Sequence, residues 1–451
     1  MGYNILFLAL LFCIAIAYSQ PVLHCEQSAV PPSPNEWSGW GRDIENSRYN
    51  PLTAIDADTV SNLVLRCNFS SAAGITSQPS YSNGVLYFGD NQVTHSGASA
   101  GYVYAVRGSD CSLIWRSKLS SYTGVSTSNT RWTPLVYQGK VIVGDRTAGS
   151  GWVVALNVAD GSLAWRTRVE THPWTILTGS ASAACSTIFF GVSSMEETAS
   201  KFPGFSGFSF RGSVVALNAD DGSLLWKHYT MPDIAGYAGA AVWASSPSID
   251  LTSRRVFVGT GNGYSLPPSV QNCSETALLN NQSVEPCFGS DAPDVQYDSI
   301  LALNIDDGSV AWIAKKRDYD VWSVACIALP AGNPWCPKIK GPDFDFGQNP
   351  ILYQGNNPGG KYLAIGQKSG LMFSVSANDG SSRWDTAAGV GGVIGGLLFG
   401  STSDADNIFG QQGNSVYSYW TDSNTNTTYC GSYIVAYDKN TGAVKWQTPS
   451  V

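Results

Sequence analysis

The sequence has little of what several common classes of protein require. Charged residues make up 13% of its 451 positions and the formal net charge is −8, so nothing indicates a nucleic-acid-binding surface. Only His24, His95, His172 and His228 are present, and none lies in a recognised nucleophile or zinc-ligand motif. The chain has no CxxCH haem-attachment motif and no long polar tract that would indicate disorder or a flexible linker.

Long apolar runs are confined to the start of the chain. Ile5 to Ala17 is continuously apolar and ends in small-x-small residues, which is typical of a secretory signal peptide, although no Lys or Arg precedes it. The run is short for spanning a bilayer, and nothing later resembles a transmembrane helix. The sequence therefore predicts a signal peptide over residues 1–17, one domain over residues 18–451, and a secreted protein without a membrane span after signal removal.

One short pattern returns six times: a strand, a tight Asp/Gly turn, and a second strand that closes on tryptophan. The copies lie at 105–115, 155–165, 216–226, 302–312, 374–384 and 436–446. The Asp-Gly or Thr-Gly pair supplies the positive φ that a hairpin turn needs. Hairpins repeated along a chain bury their apolar faces against their neighbours. The pattern therefore predicts an all-β protein with the architecture of a β-propeller.

An oxidising compartment permits disulfides in the exported chain. Cys273 with Cys287, and Cys326 with Cys336, each bracket a short insertion, which favours local pairing. The sequence assigns no partners to Cys25, Cys185 and Cys430. Four sequons predict N-glycosylation, although such triplets also arise by chance; they begin at Asn68, Asn272, Asn281 and Asn426.

The repeats resemble the tryptophan-docking motif of propellers that use pyrroloquinoline quinone (PQQ), the quinoprotein alcohol dehydrogenases. The chain is most similar to the polyvinyl-alcohol-dehydrogenase-like group, and the similarity covers nearly all of the mature chain. The segments that carry it are, in order, WSGWGRDIENSRYNPLTAI (37–55), GVSSMEE (191–197), FRGSVVALNADDG (210–222), YAGAAVWASSPSID (237–250), VGTGNGYS (258–265), DVWSVAC (320–326) and GPDFDFG (341–347).

The resemblance implies eight four-stranded blades, in which each docking tryptophan stacks on a glycine of the next repeat. Cys67 stands where the first tryptophan would fall and Cys111 where its receiving glycine would be, so we expect a disulfide in place of that contact. Asn62 to Ser70 resembles a lone outer strand of an incomplete first blade. The last blade and the closing strands are missing, so we expect a C-terminally incomplete domain, the alternatives being a seven-bladed or open ring.

The resemblance also implies a cofactor site. Glu196 and Asn262 match calcium ligands, with Asp320 nearby, and their oxygens suit Ca²⁺. Trp243 matches the indole that lies against PQQ. Further cofactor contacts are expected from Thr178, Arg211 and Lys368. Read without the family, each of these is an ordinary loop, core or surface residue.

Asp320 is the expected catalytic base, because Ser323 stands where better-known relatives have the basic aspartate. Asp318, Asp343 and Asp345 are lesser candidates. A tryptophan of relatives is replaced by Phe399, and their adjacent cysteine pair is absent from this chain.

Two functions follow as hypotheses. The first is a secreted dehydrogenase that uses PQQ and Ca²⁺ to oxidise an alcohol, with a polymeric or secondary alcohol as substrate and a separate electron acceptor because no haem motif is present. The second is a non-catalytic propeller that serves as a binding platform with a degenerate quinone site, which Ser323 and the missing cysteines favour.

Overall fold

Each copy of the repeat forms the outer hairpin of one antiparallel sheet in the computed structural model. The structure describes residues 33, 36–51, 53–91, 101–357, 359–415, 417–421 and 426–449. Within these residues, six sheets of four or five strands follow one another along the chain. The predicted all-β propeller with four-stranded blades is confirmed.

The blades are numbered in chain order. Blade 1 contains β1 Ser80–Ser82, β2 Val85–Gly89, β3 Tyr102–Arg107 and β4 Leu113–Lys118. Blade 2 contains β5 Leu135–Tyr137, β6 Lys140–Gly144, β7 Trp152–Asn157 and β8 Leu163–Arg168. Blade 3 contains β9 Thr175–Ile176, β10 Ser182–Ala184, β11 Thr187–Ser194, β12 Ser213–Asn218 and β13 Leu224–Tyr229.

In blade 4, a small sheet accompanies the main one. The small sheet pairs β14 Ala238–Gly239 with β17 Gly263–Ser265, and the main sheet contains β15 Ser248–Asp250, β16 Arg255–Gly259, β18 Ser299–Asn304 and β19 Val310–Lys315. Blade 5 contains β20 Ile351–Gln354, β21 Lys361–Gly366, β22 Leu371–Ser376 and β23 Ser382–Ala387. Blade 6 contains β24 Gly395–Leu397, β25 Thr402–Ser403, β26 Asn407–Asn414, β29 Tyr433–Asp438 and β30 Val444–Pro449, with a hairpin of β27 Tyr419–Thr421 and β28 Thr428–Cys430.

Helices occur only in connections between strands of the described chain. They are α1 Ser120–Thr123, α2 Glu196–Ala199, α3 Pro268–Leu279 and α4 Ala325–Ala328, with 3₁₀ turns at Val60–Asn62 and Glu285–Asp294. Across the described ranges, none is long and apolar enough to traverse a lipid bilayer.

The blades are arranged radially because both faces of their middle strands are apolar. Val153, Val154 and Leu156 of β7 are fully buried although they point to opposite faces of the sheet. Each face is covered by the adjacent blade, which produces one apolar cluster between successive sheets. One strand of each of blades 1 to 5 contacts the next in succession, and these strands therefore lie nearest the central axis: β1, β5, β10, β15 and β20.

The tryptophan at the end of each of the first five hairpins packs on the glycine of the following repeat. A Cβ placed on the receiving glycine would lie only 2.4–2.6 Å from the indole ring, so no larger residue fits there. Each indole Nε1 also donates to a backbone carbonyl of the next blade. The docked pairs are Trp115 with Gly161, Trp165 with Gly222, Trp226 with Gly308, Trp312 with Gly380, and Trp384 with Gly442. The predicted docking is confirmed for these five pairs.

Replacing Trp226 by alanine is expected to reduce the free energy of unfolding by about 3–5 kcal/mol. The ring is 7% exposed, so its removal leaves a cavity between blades 3 and 4. Trp446 is the matched control: its ring is 44% exposed, and Trp446→Ala should cost less than about 1.5 kcal/mol. Urea denaturation of the two variants measures the difference, and equal losses would contradict the role of docking.

The disulfide predictions are confirmed. Cys67 is bonded to Cys111 with a Cα–Cα distance of 5.7 Å, within the range that a disulfide requires. The local pairs Cys273–Cys287 and Cys326–Cys336 are also present. Cys185 is disulfide-bonded, Cys430 is free and exposed, and Cys25 lies outside the described residues.

Other expectations remain predictions. The signal peptide over residues 1–17 lies outside the described residues. All four sequon asparagines are exposed, as glycosylation would require, and the modification itself stays a prediction. The lone outer strand expected from Asn62 to Ser70 is wrong: Asn62 ends a 3₁₀ turn and residues 63–70 form no strand, although Phe69 packs edge-on against Phe88 and Tyr104 of blade 1.

Candidate functional site

The second strands of the blades deliver polar side chains to one region of the propeller. β2, β6, β16 and β21 each end in a glycine, because the next connection packs directly on the strand there; a Cβ at Gly144 would lie 2.5 Å from Trp132. Two or three residues after these glycines stand Asn91, Arg146, Asn262 and Lys368. All four line two adjoining cavities, which share Arg131 and Thr178 in their walls.

The inner cavity has a volume of about 190 Å³. Six of its lining residues carry its chemistry: Thr178, Glu197, Trp243, Asn262, Asp345 and Lys368. Four residues predicted from the sequence, Thr178, Trp243, Asn262 and Lys368, are therefore brought together. Glu197 and Asp345 were not among the residues assigned to the site, although Asp345 was a lesser candidate for the base.

A lysine held between two aspartates forms the charged centre of this cavity. Lys368 Nζ donates to Asp343 Oδ1 and to Asp345 Oδ2, each at 2.8 Å. Burial alone would lower the pKa of Lys368, but the neighbouring Asp345 and Asp343 outweigh it and raise that pKa. Burial and the proximity of Asp345 raise the pKa of Asp343 well above its ordinary value. The two carboxylates therefore favour the charged ammonium form of Lys368.

Asp345 accepts from two further donors. Trp243 Nε1 lies 3.1 Å from Oδ2, and the backbone N–H of Asn262 lies 2.5 Å from Oδ1. These donors, together with Lys368, fix the orientation of the carboxylate. The structure thus places an oriented carboxylate in the cavity wall.

Glu197 presents a carboxylate with unused bonding capacity. Its Oε1 is buried and has no hydrogen-bond partner among the described residues. Burial, and then the proximity of Asp345, raises the pKa of Glu197 to about 8. An unpartnered carboxylate oxygen in a polar cavity is costly unless a cation or a proton meets it.

Asn262 complements this carboxylate. Its Nδ2 donates to the carbonyls of Gly263 at 3.0 Å and Trp322 at 2.9 Å. Both amide hydrogens are thus used, which leaves Oδ1 as the atom to meet a ligand in the cavity. Within the described chain, no three His, Cys, Asp or Glu side chains form a metal-binding group, so a cation here would need oxygens beyond the protein carboxylates.

Aromatic rings form another wall. Trp243 is oriented by its bond to Asp345, and its carbonyl accepts from Thr178 Oγ1 at 2.6 Å. Phe399 packs edge-on against Trp243, with ring centroids 5.9 Å apart and planes at 79°. Phe399 also lines the outer cavity, which is much larger at about 670 Å³. An indole held in one orientation can support a flat conjugated ligand.

The outer cavity carries positive charge. Arg131 lies in the walls of both cavities, whereas Arg146 lines the outer one alone. The guanidinium of Arg131 lies 5.2 Å from the ring of Phe399. Burial, together with the proximity of Arg146, lowers the pKa of Arg131. Sequence reasoning missed both arginines.

Glu196, predicted as a metal ligand, lies outside the lining of both cavities. Its carboxylate is buried and accepts from the backbone N–H groups of Ser209 and Phe210, each at 2.9 Å, with His172 Nε2 3.5 Å away. Burial raises its pKa to about 7. Glu196 does not line either cavity. The neighbouring Glu197 faces the cavity in its place.

Asp320, predicted as both base and metal ligand, is bound by backbone amides outside the two cavities. Its carboxylate accepts from the backbone N–H groups of Asp343 at 3.0 Å and Phe344 at 2.7 Å, and it does not line either cavity. Asp320 thereby fixes the segment that carries Asp345. Ser323 donates to the carbonyl of Trp335 at 2.8 Å, so it too has a structural role.

Arg211 is not part of the site. Its guanidinium forms an ion pair with Asp233 at 3.2 Å and lies 4.2 Å from the ring of Tyr229. It lines neither cavity, so the predicted contact with a cofactor is not supported.

Comparison with known proteins places the chain in a family. The PQQ_2 family model, described as outer membrane protein assembly factor BamB, matches residues 52–313, more than half of the chain.

In sequence, the chain is similar to two polyvinyl alcohol dehydrogenases. One, from Sphingopyxis sp. (strain 113P3), is 27% identical over 408 residues, which cover 86% of this chain and 57% of the relative. The other, from Pseudomonas sp., is 29% identical over 399 residues, which cover 84% of this chain and 56% of the relative. The chain thus spans little more than half the length of these relatives.

Solved structures show the same fold. A quinohemoprotein alcohol dehydrogenase from Pseudomonas putida HK5 matches 93% of this chain and 67% of its own, with a TM-score of 0.66 and 17% identity. The enzyme from Comamonas testosteroni matches 94% and 68%, with a TM-score of 0.64 and 16% identity. A europium-containing methanol dehydrogenase matches 92% and 78%, with a TM-score of 0.62 and 16% identity. At these identities, the likeness concerns the fold alone.

Proposed function

We propose, because this chain belongs to the superfamily of PQQ-dependent alcohol dehydrogenase propellers, that it oxidises an alcohol by hydride transfer to bound PQQ. One observation carries the proposal: a single cavity is lined by an unpartnered carboxylate, an amide oxygen, an oriented indole and a lysine–aspartate pair. These are the groups that a planar quinone, a hard cation and an alcohol require.

Four side chains would hold the quinone. The indole face of Trp243 suits a flat conjugated ring, and Thr178 offers a hydroxyl at the junction of the two cavities. Arg131 can bind a carboxylate in bidentate fashion. Lys368, fixed by its two aspartates, supplies a permanent positive charge where negative charge develops on an oxygen.

Glu197 and Asn262 would hold a calcium ion. Carboxylate and amide oxygens are hard ligands, and Glu197 Oε1 has no other partner in the described chain, so these residues fit such an ion. When bound, PQQ supplies a two-electron acceptor for hydride, and the cation beside it polarises a carbonyl.

Asp345 would take the hydroxyl proton of the alcohol. It lies in the cavity wall, and Lys368 and Trp243 hold it in one orientation. Lys368 also places a positive charge 2.8 Å from the carboxylate oxygen Oδ2, beside the group that would accept the proton. Loss of this proton and of a hydride converts the alcohol to a carbonyl compound. Asp345 replaces Asp320 as our candidate for the base.

The remaining parts of the proposal concern localisation, the electron acceptor and the substrate. We propose that the protein is secreted, since residues 5–17 resemble a signal peptide, and that electrons pass to an acceptor outside residues 1–451. We propose a polymeric or secondary alcohol as substrate, on the similarity to polyvinyl alcohol dehydrogenases.

Reconstitution tests the function. The full-length secreted protein, loaded with PQQ and Ca²⁺, should retain the quinone through gel filtration and reduce a dye when alcohols are added. Removal of Ca²⁺ by EDTA should abolish both properties. Retention of PQQ without turnover would favour the alternative, a binding platform with a relic site. Failure to retain PQQ in the presence of Ca²⁺ would refute the proposal.

A further inference from the structure

Two guanidinium groups, those of Arg131 and Arg146, line the outer cavity. A third belongs to Arg48 and lies 4.9 Å from the ring centre of Trp40, which is another lining residue. In a chain with a net charge of −8, this concentration of positive charge is unusual and calls for a ligand.

These three arginines are not paired with acidic groups of the described chain. No carboxylate of the described residues lies within 4.0 Å of Arg48, Arg131 or Arg146, whereas Arg211 and Arg254 each pair with an aspartate. Arg131 and Arg146 are also close enough to repel each other, which contributes to the lowered pKa of Arg131. An anion bound between them would remove this repulsion and gain charge-assisted hydrogen bonds.

The arginines differ in which cavity they line, and therefore in which ligand they can contact. Arg131 reaches the inner cavity and is therefore available to a bound quinone. Arg146 lines only the outer cavity, which at about 670 Å³ has room for the part of a substrate that does not react. Its walls also offer hydroxyl and amide groups, from Thr76, Asn91, Ser180 and Ser245. Arg146 is thus placed to contact substrate rather than cofactor.

We propose that Arg146 binds an anionic group on the substrate, so that the preferred substrate is an alcohol that also carries a carboxylate, sulfate or phosphate. This inference rests on the proposed function and deepens it by naming a substrate class. Arg146 would act as a specificity residue: it contacts the charged end of the molecule while the hydroxyl group reacts in the inner cavity.

A matched pair of alcohols tests the inference. 4-Hydroxybutyrate and 1,4-butanediol share a four-carbon skeleton, and only the first carries a carboxylate. The reconstituted protein should have a lower KM for 4-hydroxybutyrate, and added NaCl should raise that KM alone. Arg146→Gln should raise the KM for 4-hydroxybutyrate about tenfold and leave the KM for the diol within about twofold. Arg146→Lys, which keeps the charge, should restore part of the loss.

A control variant distinguishes a direct contact with substrate from a general effect of charge. Arg107→Gln removes a charge from an exposed side chain of β3 and should change neither KM. Equal effects of Arg146→Gln on both alcohols, or a wild-type preference for the diol, would overturn the inference while turnover of the diol leaves the proposed function intact. Weaker PQQ binding by Arg146→Gln would also overturn it, because the arginine would then serve the cofactor.

If neither alcohol is turned over, a binding measurement tests the inference instead. Calorimetry on the PQQ-loaded protein should then detect 4-hydroxybutyrate binding that Arg146→Gln weakens about tenfold. Absence of binding, or binding that the variant does not change, would overturn the inference.

Discussion

Replacing Asp345 by asparagine is expected to reduce kcat by about 10²–10⁴-fold, because the alcohol loses the group that accepts its proton. Asparagine preserves the size of the side chain but cannot act as a base. The Kd for PQQ should change much less, since the indole of Trp243 and the hydroxyl of Thr178 remain in the wall. Steady-state dye reduction and PQQ titration measure the two quantities separately.

Variants of Asp320 are the control for the variants of Asp345. Its carboxylate accepts two backbone N–H groups and lines neither cavity, so Asp320→Asn should lower the thermal stability. Formate separates a base from a positioning residue: it can enter the space left by Asp345→Ala and restore part of the rate, whereas Asp320→Ala leaves no space in the cavity wall. Rescue of Asp320→Ala, and not of Asp345→Ala, would restore Asp320 as the base.

The sequence predicts the architecture well because each blade carries its own local signal. An Asp-Gly turn fixes the hairpin, and a tryptophan at constant spacing finds a glycine in the next repeat, as Trp165 finds Gly222. Because the repeats are so regular, a departure from their pattern is also informative. Cys67 and Cys111 occupy the positions of a missing tryptophan and its glycine, and they are bonded to each other.

The base was harder to predict because the relevant carboxylates are separated by an insertion. Asp320 precedes the loop closed by Cys326 and Cys336, and Asp345 follows it. Only the folded chain shows that the first carboxylate turns back to bind the amides of Asp343 and Phe344. No spacing rule indicates which side of such a loop faces the cavity.

The arginines of the outer cavity were missed for a different reason. Arg131 lies in a connection between blades, with no motif around it. Arg146, however, follows the glycine at the end of β6 by two residues, as Lys368 follows the glycine at the end of β21. This second repeat, weaker than the tryptophan pattern, could have identified Arg146 from the sequence.

Whether Glu196 or Glu197 faces the cavity depends on the backbone between the end of β11 and the start of α2. β11 ends at Ser194 and α2 begins at Glu196, so the strand alternation stops between them. Which of two adjacent carboxylates faces the cavity is then set by the helix, whose first residue binds the amides of Ser209 and Phe210. Sequence similarity indicated Glu196, whereas Glu197 is the member of the pair that lines the cavity.

Glu197→Gln is accordingly expected to weaken Ca²⁺ binding by about 100-fold or more, because it removes the charge from the one carboxylate proposed as a ligand. PQQ retention should fall with it. The thermal stability of the cation-free protein should not decrease, since Glu197 Oε1 has no partner to lose in the described chain. Ca²⁺ titration in the presence of PQQ, followed by the absorbance of the quinone, measures the affinity.

Glu196→Gln is the matched control, one residue away. One of its two acceptor oxygens becomes a donor facing a backbone N–H, so unfolding should become easier by about 1–3 kcal/mol. Its Ca²⁺ affinity should stay within about tenfold of the wild type, because a group that only orients a ligand has a smaller effect than the ligand. The two variants should therefore have different phenotypes: Glu197→Gln loses Ca²⁺ affinity, whereas Glu196→Gln loses stability. The reverse result would make Glu196 the metal ligand, and the cavity beside Glu197 could not then be the calcium site.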